Sequence, residues 1–366
     1  MARPHSGGLL SGWRGLGLFW AGMLSAAAVG GGILTLLGPP DPSSRSVRAI
    51  PPGVPVVHAD PLPSDSRLAE TKPANVVRSD PSAIRPGRPT AGPIADPDPS
   101  LQEPYPGDAH LTLPRISLDG RAPMAVYAAG FDPSSLRPRV GLLIAGIGMS
   151  EAVSLSAIKD LPGGVTLAVS PYAGDIGHLL DAARMSEHEY LLAIPMEPQG
   201  YPVNDPDDRH ALMTSLAPAE NLDRLRWALS RLTGYVGVTT ALGQMHGERL
   251  AGMPDQFGPV LEEVAHRGLL FVDARTGQLP AAWAWNRPVD LTIDDDPEDA
   301  DALDRRLDAL THLALDKGSA LGLVSLPRPV ALARVAAWTN TLVAKGLALA
   351  PVSALVLPPA KQDTAK

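Results

Sequence analysis

The run Val140-Gly141-Leu142-Leu143-Ile144-Ala145-Gly146-Ile147-Gly148 decides how the rest of the chain is read. Five mostly apolar residues pass into a glycine-rich turn, and a stretch with helical spacing follows from about Ser150 to Lys159 before Leu161-Pro162-Gly163-Gly164 ends it. A continuous apolar run followed by a helix is the mark of a strand buried on both faces, as in a parallel sheet covered by helices. The same unit recurs. Val165 to Val169 precedes a helical stretch from Asp175 to Ser186, and Tyr190 to Ile194 precedes a long loop and a helix with Leu222, Leu225, Leu229 and Leu232 on one face. Tyr235 to Thr239 leads to a helix around Val260 to His266, and Leu269 to Asp273 leads to a short helical piece near Ala281 to Trp285. Val289 to Ile293 leads to a helix aligning Leu303, Leu307, Leu310 and Ala314, and Ala320 to Val324 leads to one aligning Leu332, Val335, Thr339 and Leu342. Leu347 to Val352 closes the series. Seven or eight strands alternating with helices predict an α/β domain and suit a closed or partly closed β/α barrel better than a doubly wound sheet.

Outside this series the composition changes. Twenty-one of the 39 prolines fall between Pro39 and Pro138, where apolar runs are short, so burial there does not offset the entropy of ordering. Residues 39–108 are therefore expected to be a disordered linker, and 109–358 the domain, with 359–366 a tail. From Gly15 to Gly38 no residue is charged, and the length suits a helix crossing a hydrocarbon core of about 30 Å. Arg3 and Arg14 precede it, which puts residues 1–14 in the cytoplasm, 15–38 in the bacterial inner membrane as a signal anchor, and the remainder in the periplasm. The rival reading is a cleaved signal, for which Ser25-Ala26-Ala27-Ala28 supplies small residues. A net charge of −8 with no basic cluster argues against nucleic acid as a partner. The absence of cysteine excludes disulfides, thiolate metal sites and a cysteine nucleophile.

In a β/α barrel the loops after the strands carry the site. Several of them together resemble the divergent polysaccharide deacetylase family, a branch of the carbohydrate deacetylases with an irregular β/α barrel. The resemblance is carried by His188-Glu189-Tyr190-Leu191-Leu192 with Ile194-Pro195-Met196-Glu197-Pro198, by Tyr201-Pro202 with Asn204-Asp205-Pro206, by Tyr235-Val236-Gly237-Val238 and by Phe271-Val272-Asp273-Ala274-Arg275-Thr276. Trp338, Gly346 and Pro351-Val352-Ser353-Ala354-Leu355 complete it, and Leu113-Pro114-Arg115-Ile116, Asp119-Gly120-Arg121 and Tyr127-Ala128 resemble the lead-in of alphaproteobacterial members. The choice of a barrel over a doubly wound sheet leans on this resemblance.

The resemblance implies metal-dependent removal of acetyl groups from a sugar polymer, with an Asp-Asp pair after the first strand and an Asn-His pair after the fourth as ligands. Here Ala145-Gly146 and Thr240-Ala241 stand at those positions, and Ala193 stands where an imidazole sometimes precedes the Pro-Met-Glu-Pro motif. Alanine and glycine have no donor to offer, so no cofactor is expected and the domain reads as a degenerate enzyme that binds an envelope glycan or a periplasmic protein. Met196, Glu197, Asp205, Asp273 and Arg275 are the candidate substrate-binding residues, with Glu197 and Asp273 the candidates for any catalysis. The alternatives are an active hydrolase with a relocated site for a divalent metal such as zinc, for which His246 with Glu248 is the candidate, and a purely structural envelope protein. His188, at the start of its strand, reads as structural, and Asp273 with Arg275 reads equally as an ion pair fixing a loop. Asp205, Asp207 and Asp208 with His210, and Asp294-Asp295-Asp296, read as solvated acidic loops.

Overall fold

Period-two alternation along the strands sorts their side chains into two layers. On the strand Arg139–Ile147 (β3), Val140, Leu142 and Ile144 pack with the helices, whereas Leu143 and Ala145 join an inner cluster with Ala168, Leu191, Val236, Ala241 and Leu321. The computed structural model in which this is seen describes residues 84–204, 209–278, 281, 283–295 and 299–359. The expected membrane segment at 15–38 lies outside the described residues, and among those described no helix is long and apolar enough to cross a membrane.

After a short hairpin of Gln102–Tyr105 (β1) and Asp108–Pro114 (β2) and a helical turn at Pro123–Val126 (α1), the chain enters the repeating units. They run β3, Glu151–Asp160 (α2), Thr166–Val169 (β4), Gly177–Met185 (α3), Tyr190–Ala193 (β5), Pro218–Leu229 (α4) and Gly237–Thr239 (β6). Glu248–Ala251 (α5), Pro254–His266 (α6), Leu270–Asp273 (β7), Asn286–Pro288 (β8), Leu291–Thr292 (β9), Ala300–Lys317 (α7), Ser319–Val324 (β10), Pro329–Thr339 (α8) and Ala348–Leu349 (β11) follow. The principal sheet is parallel throughout, in the order β8-β7-β6-β5-β4-β3-β10-β9, with β11 paired to the start of β3.

That order forces the sheet to curl. β8 and β9 are the two ends of the path, yet only Val289 and Asp290 separate them in the chain. The Val289 N–H bonds the Asp273 carbonyl of β7 at 2.9 Å, and the Asp290 N–H bonds the Leu321 carbonyl of β10, also at 2.9 Å. One dipeptide thus draws both edges together, and the eight strands form a curled parallel half-barrel, which fits the expected β/α barrel.

Two expectations about local structure are corrected. The stretch 289–293, expected as one strand, holds only the two-residue β9, with β8 set before it at Asn286–Pro288, and among the described residues near Ala281 to Trp285 there is no helix. Asn286 explains the second change: its Oδ1 accepts from the Ala281 N–H at 2.7 Å and its Nδ2 donates to the carbonyls of Ala281 and Ala284. The side-chain amide takes the bonds a helix would have made. Further, residues 84–108 were expected within the linker, but they lie against the domain. Ile94 and Leu101 are buried in the inner cluster with Met124 and Tyr127, so the domain supplies the apolar surface that this proline-rich segment lacks by itself. Asp98 caps the 3₁₀ turn Pro99–Leu101 and pairs with Arg121 at 2.8 Å. The Arg121 guanidinium and the Ser100 donors hold the Asp98 carboxyl down at about 2.

At the lower end of the barrel, Glu189 is fully buried and receives four hydrogen bonds. Ala129 N–H and Ser353 Oγ donate to Oε2 at 3.0 and 2.6 Å, and Ser353 N–H and Thr166 Oγ1 donate to Oε1 at 2.9 and 3.0 Å. Burial pushes this carboxyl above the ordinary Glu range, while the four donors pull it back. Each oxygen faces one backbone N–H that cannot turn away. Replacing Glu189 by Gln therefore sets an amide N–H against a backbone N–H in either orientation, and should cost about 1–3 kcal/mol. Urea unfolding of the variant checks this; a midpoint equal to the wild type would contradict it.

Candidate functional site

The C-terminal ends of the strands open onto a cavity of about 650 Å³. Gly146 after the inner residues of β3, Ala193 at the end of β5 and Ala241 beyond β6 all line it, together with Met149, Tyr172, Leu242, Met245, Leu326 and Pro327. Three positions at which the family resemblance implies ligands therefore do meet on one wall, and none presents a donor side chain. No Asp, Glu or His is among the lining residues, and Arg328 is the one charged residue on it. Thr240, at a fourth such position, is buried, and its Oγ1 accepts the Ala274 N–H at 3.0 Å.

Of the polar residues singled out by sequence, Glu197, Asp273 and Arg275 lie just beyond β5 and at the end of β7, and each is engaged with its neighbours. Glu197 is buried; its Oε2 accepts from the Thr214 N–H at 2.6 Å and the Thr214 hydroxyl at 2.7 Å, and its Oε1 pairs with Arg249 at 2.8 Å. Its backbone carbonyl accepts from the N–H groups of Arg249 and Leu250, so one residue ties the loop after β5 to α5. Met196 is buried against Gly247, where a Cβ would stand 2.6 Å from that of Met196 and where φ is +62°. Only glycine meets both demands. Asp273 holds Arg275 bidentately, at 3.0 Å to Nε and 2.7 Å to Nη2, and also accepts the Arg275 N–H at 3.0 Å. Asp205 lies outside the described residues, as do Asp207, Asp208 and Asp296.

His246 is mostly buried at the cavity's edge. Its Nε2 is 3.5 Å from Ser325 Oγ and its Nδ1 is 3.8 Å from a Glu248 oxygen. Burial pushes its pKa below the ordinary value, partly offset by Glu248, Asp294 and Asp273. Asp294 is committed elsewhere, accepting the N–H groups of Ser325 and Leu326 at 2.8 Å each. Among the described residues no group of three or more His, Cys, Asp or Glu is arranged to hold a metal ion. A hydrolytic zinc needs three protein ligands and an open position, and the donor set among the described residues does not fit one. His188 sits at the opposite end, buried, with Nδ1 2.8 Å from the Val165 carbonyl and Nε2 3.1 Å from that of Ile158, which is a structural arrangement.

A family model described as divergent polysaccharide deacetylase matches residues 142–356, more than half of the chain. The chain belongs to that family. Among solved structures, an uncharacterized protein, ATU2773 from Agrobacterium tumefaciens C58, is 29% identical, with a TM-score of 0.61, over 67% of this chain and 100% of that one. Among curated proteins nothing matches. The family's deacetylase-like domain thus accounts for the half-barrel and for the order of the loop motifs.

Sequence reasoning passed over Thr214 and Arg249, and its reading of Asp294 as part of a solvated loop is corrected: Asp294 is buried and ties the loop at Ser325 and Leu326. Arg249 lies 52 positions beyond Glu197, and no local spacing marks such a pair. Asp273→Ala should remove the acceptor of the Arg275 N–H and its guanidinium and cost about 1–3 kcal/mol of stability. A thermal melt checks it, and an unchanged Tm would show that the pair is not what holds this loop.

Proposed function

We propose that this protein is a membrane-tethered, periplasm-facing member of the family whose deacetylase-like domain binds a glycan or a protein partner of the cell envelope and has lost metal-dependent hydrolysis. One observation carries the reading: Gly146, Ala193 and Ala241 stand on the cavity wall where the family's chemistry needs oxygen and imidazole donors. The barrel packing does not depend on those donors, so a fold can outlive the chemistry. A cavity of about 650 Å³ is also of ligand size, with the Tyr172 ring on its wall and the Trp227 ring centroid 5.7 Å from that of Tyr172. Tethering is supported by the uncharged run from Gly15 to Gly38 and the preceding Arg3 and Arg14.

The rival is a hydrolase rebuilt around His246. It is favoured by the 3.8 Å approach of His246 to Glu248 and the 3.5 Å approach to Ser325. A purely structural envelope role is the third reading.

Metal content and acetate release, measured on the purified full chain with zinc supplied and acetylated glycan oligomers as substrate, separate them. The expected result is substoichiometric metal and no acetate, with saturable glycan or partner binding that Tyr172→Ala or Ala241→Arg abolishes. Stoichiometric metal with acetate release lost in His246→Ala would establish the rebuilt enzyme instead. Saturable binding by no envelope component would leave the structural role.

A further inference from the structure

A second cleft, of about 580 Å³, lies at the opposite end of the barrel, where Arg139 opens β3 and Trp285 immediately precedes β8. Its lining includes three arginines, Arg85, Arg88 and Arg139, with the rings of Phe131 and Trp285, and no Asp or Glu. The chain has a net charge of −8, yet among the described residues none of these three arginines pairs with a carboxylate. Elsewhere Arg184, Arg249, Arg267 and Arg275 pair with carboxylates within 4 Å. Arg139 instead donates from Nη1 to the Ala354 carbonyl at 3.0 Å and lies over the Phe131 ring, 5.0 Å from its centroid. Arg88 donates to the carbonyls of Gly92 and Pro93. Asp132, beside Phe131 in sequence, turns its carboxylate to the Ser134 N–H and hydroxyl, at 2.9 and 2.7 Å. Two N–H donors on lining residues, Arg88 Nε and Trp285 Nε1, are buried without an acceptor.

We propose that this cleft is a phosphate-binding site, which holds a phosphate group against Arg85, Arg88 and Arg139 with the body of the ligand over Trp285. Arginine stays charged and presents a planar fork that fits tetrahedral oxyanions, and a phosphate dianion has enough oxygens for several guanidinium groups, where a carboxylate is satisfied by one. Carbonyl and ring contacts hold the Arg139 fork in place, so little side-chain freedom is lost on binding. The ring walls suit a sugar face or a short alkyl chain attached to that phosphate. The site is independent of the cavity at the other end and of whether that cavity hydrolyses anything.

Isothermal titration of the purified full chain at low ionic strength, with inorganic phosphate, glucose 1-phosphate and glycerol 3-phosphate as separate probes, tests it. Saturable binding is expected, weakened about tenfold by Arg85→Glu, the loss of one charge-assisted contact, and weakened as well by added salt. Arg85 is exposed, so its replacement leaves the fold intact. Trp285→Phe should weaken glucose 1-phosphate more than inorganic phosphate. Tightest binding of the sugar phosphate identifies a phosphorylated glycan, and tightest binding of glycerol phosphate identifies a lipid headgroup. Equal binding of all three identifies the oxyanion alone as the ligand. No saturable heat with any probe, or binding indifferent to both substitutions, overturns the proposal.

Discussion

Two residues, Val289 and Asp290, impose the shape on which everything else depends. They join strands at opposite ends of an eight-strand path, and their N–H groups bond outward to β7 on one side and β10 on the other. A flat sheet of that order would hold its two ends some 35 Å apart at about 4.8 Å per strand, far beyond the reach of a dipeptide linker. Curling is therefore a consequence of chain length between β8 and β9, and it gives the sheet an inside. The inside then has to be filled. Small and apolar side chains fill it from the strands, and the lead-in around Met124 to Ala129 and the closing segment around Val352 to Leu355 fill it from below. Glu189 is the point at which these meet, since its carboxylate binds the lead-in through Ala129, the closing segment through Ser353, and β4 through Thr166.

Filling from below leaves the upper end open, which is why the strand ends bring Gly146, Ala193 and Ala241 to one surface. The geometry of a deacetylase cavity is thus set by the backbone and persists whatever side chains stand there. Electrostatics at the same end tell a different story from geometry. Three carboxylates of the loops around the cavity are drawn into ties: Glu197 to Thr214 and Arg249, Asp273 to Arg275, Asp294 to Ser325 and Leu326. A carboxylate that already satisfies backbone N–H groups and a guanidinium gives up those bonds if it turns to a metal, so the ties and the missing ligands act in the same direction.

Much of the fold was legible because buried parallel strands are apolar on both faces and short, and each is followed by a helical stripe. Leu303, Leu307, Leu310 and Ala314 fall on the buried side of α7 as their spacing requires. Legibility failed where a side chain replaces a backbone pattern or where a segment borrows its core. Asn286 and its three bonds to Ala281 and Ala284 produce an extended turn from a stretch with helical composition. Ile94 and Leu101 are isolated apolar residues among prolines, and only the barrel's own inner surface turns them into core. At the site, the positions were legible through the family motifs, but the partners were not. Glu197 with Arg249 and His246 with Ser325 are pairs made by topology, and sequence distance carries no trace of them.

The two ends of the barrel have opposite chemistry. At the strands' C-terminal ends Glu197, Asp273 and Asp294 are held in ties and the cavity wall is nearly uncharged; at their N-terminal ends three arginines line a cleft on whose wall no carboxylate stands. Packing alone does not account for the second arrangement. Gathering like charges costs Coulomb energy, and three arginines around one cleft repel each other in the absence of a counter-charge. A stabilising design would have placed a carboxylate among them, as it does for Arg184 with Asp181 and for Arg267 with Glu263. The chain has the acidic residues to do so, with 39 Asp and Glu against 31 Lys and Arg, and none lines that cleft. A bound anion would neutralise the arginines of that cleft, and this is the physical reason to look for recognition at this end as well as at the end where the family's chemistry would place it.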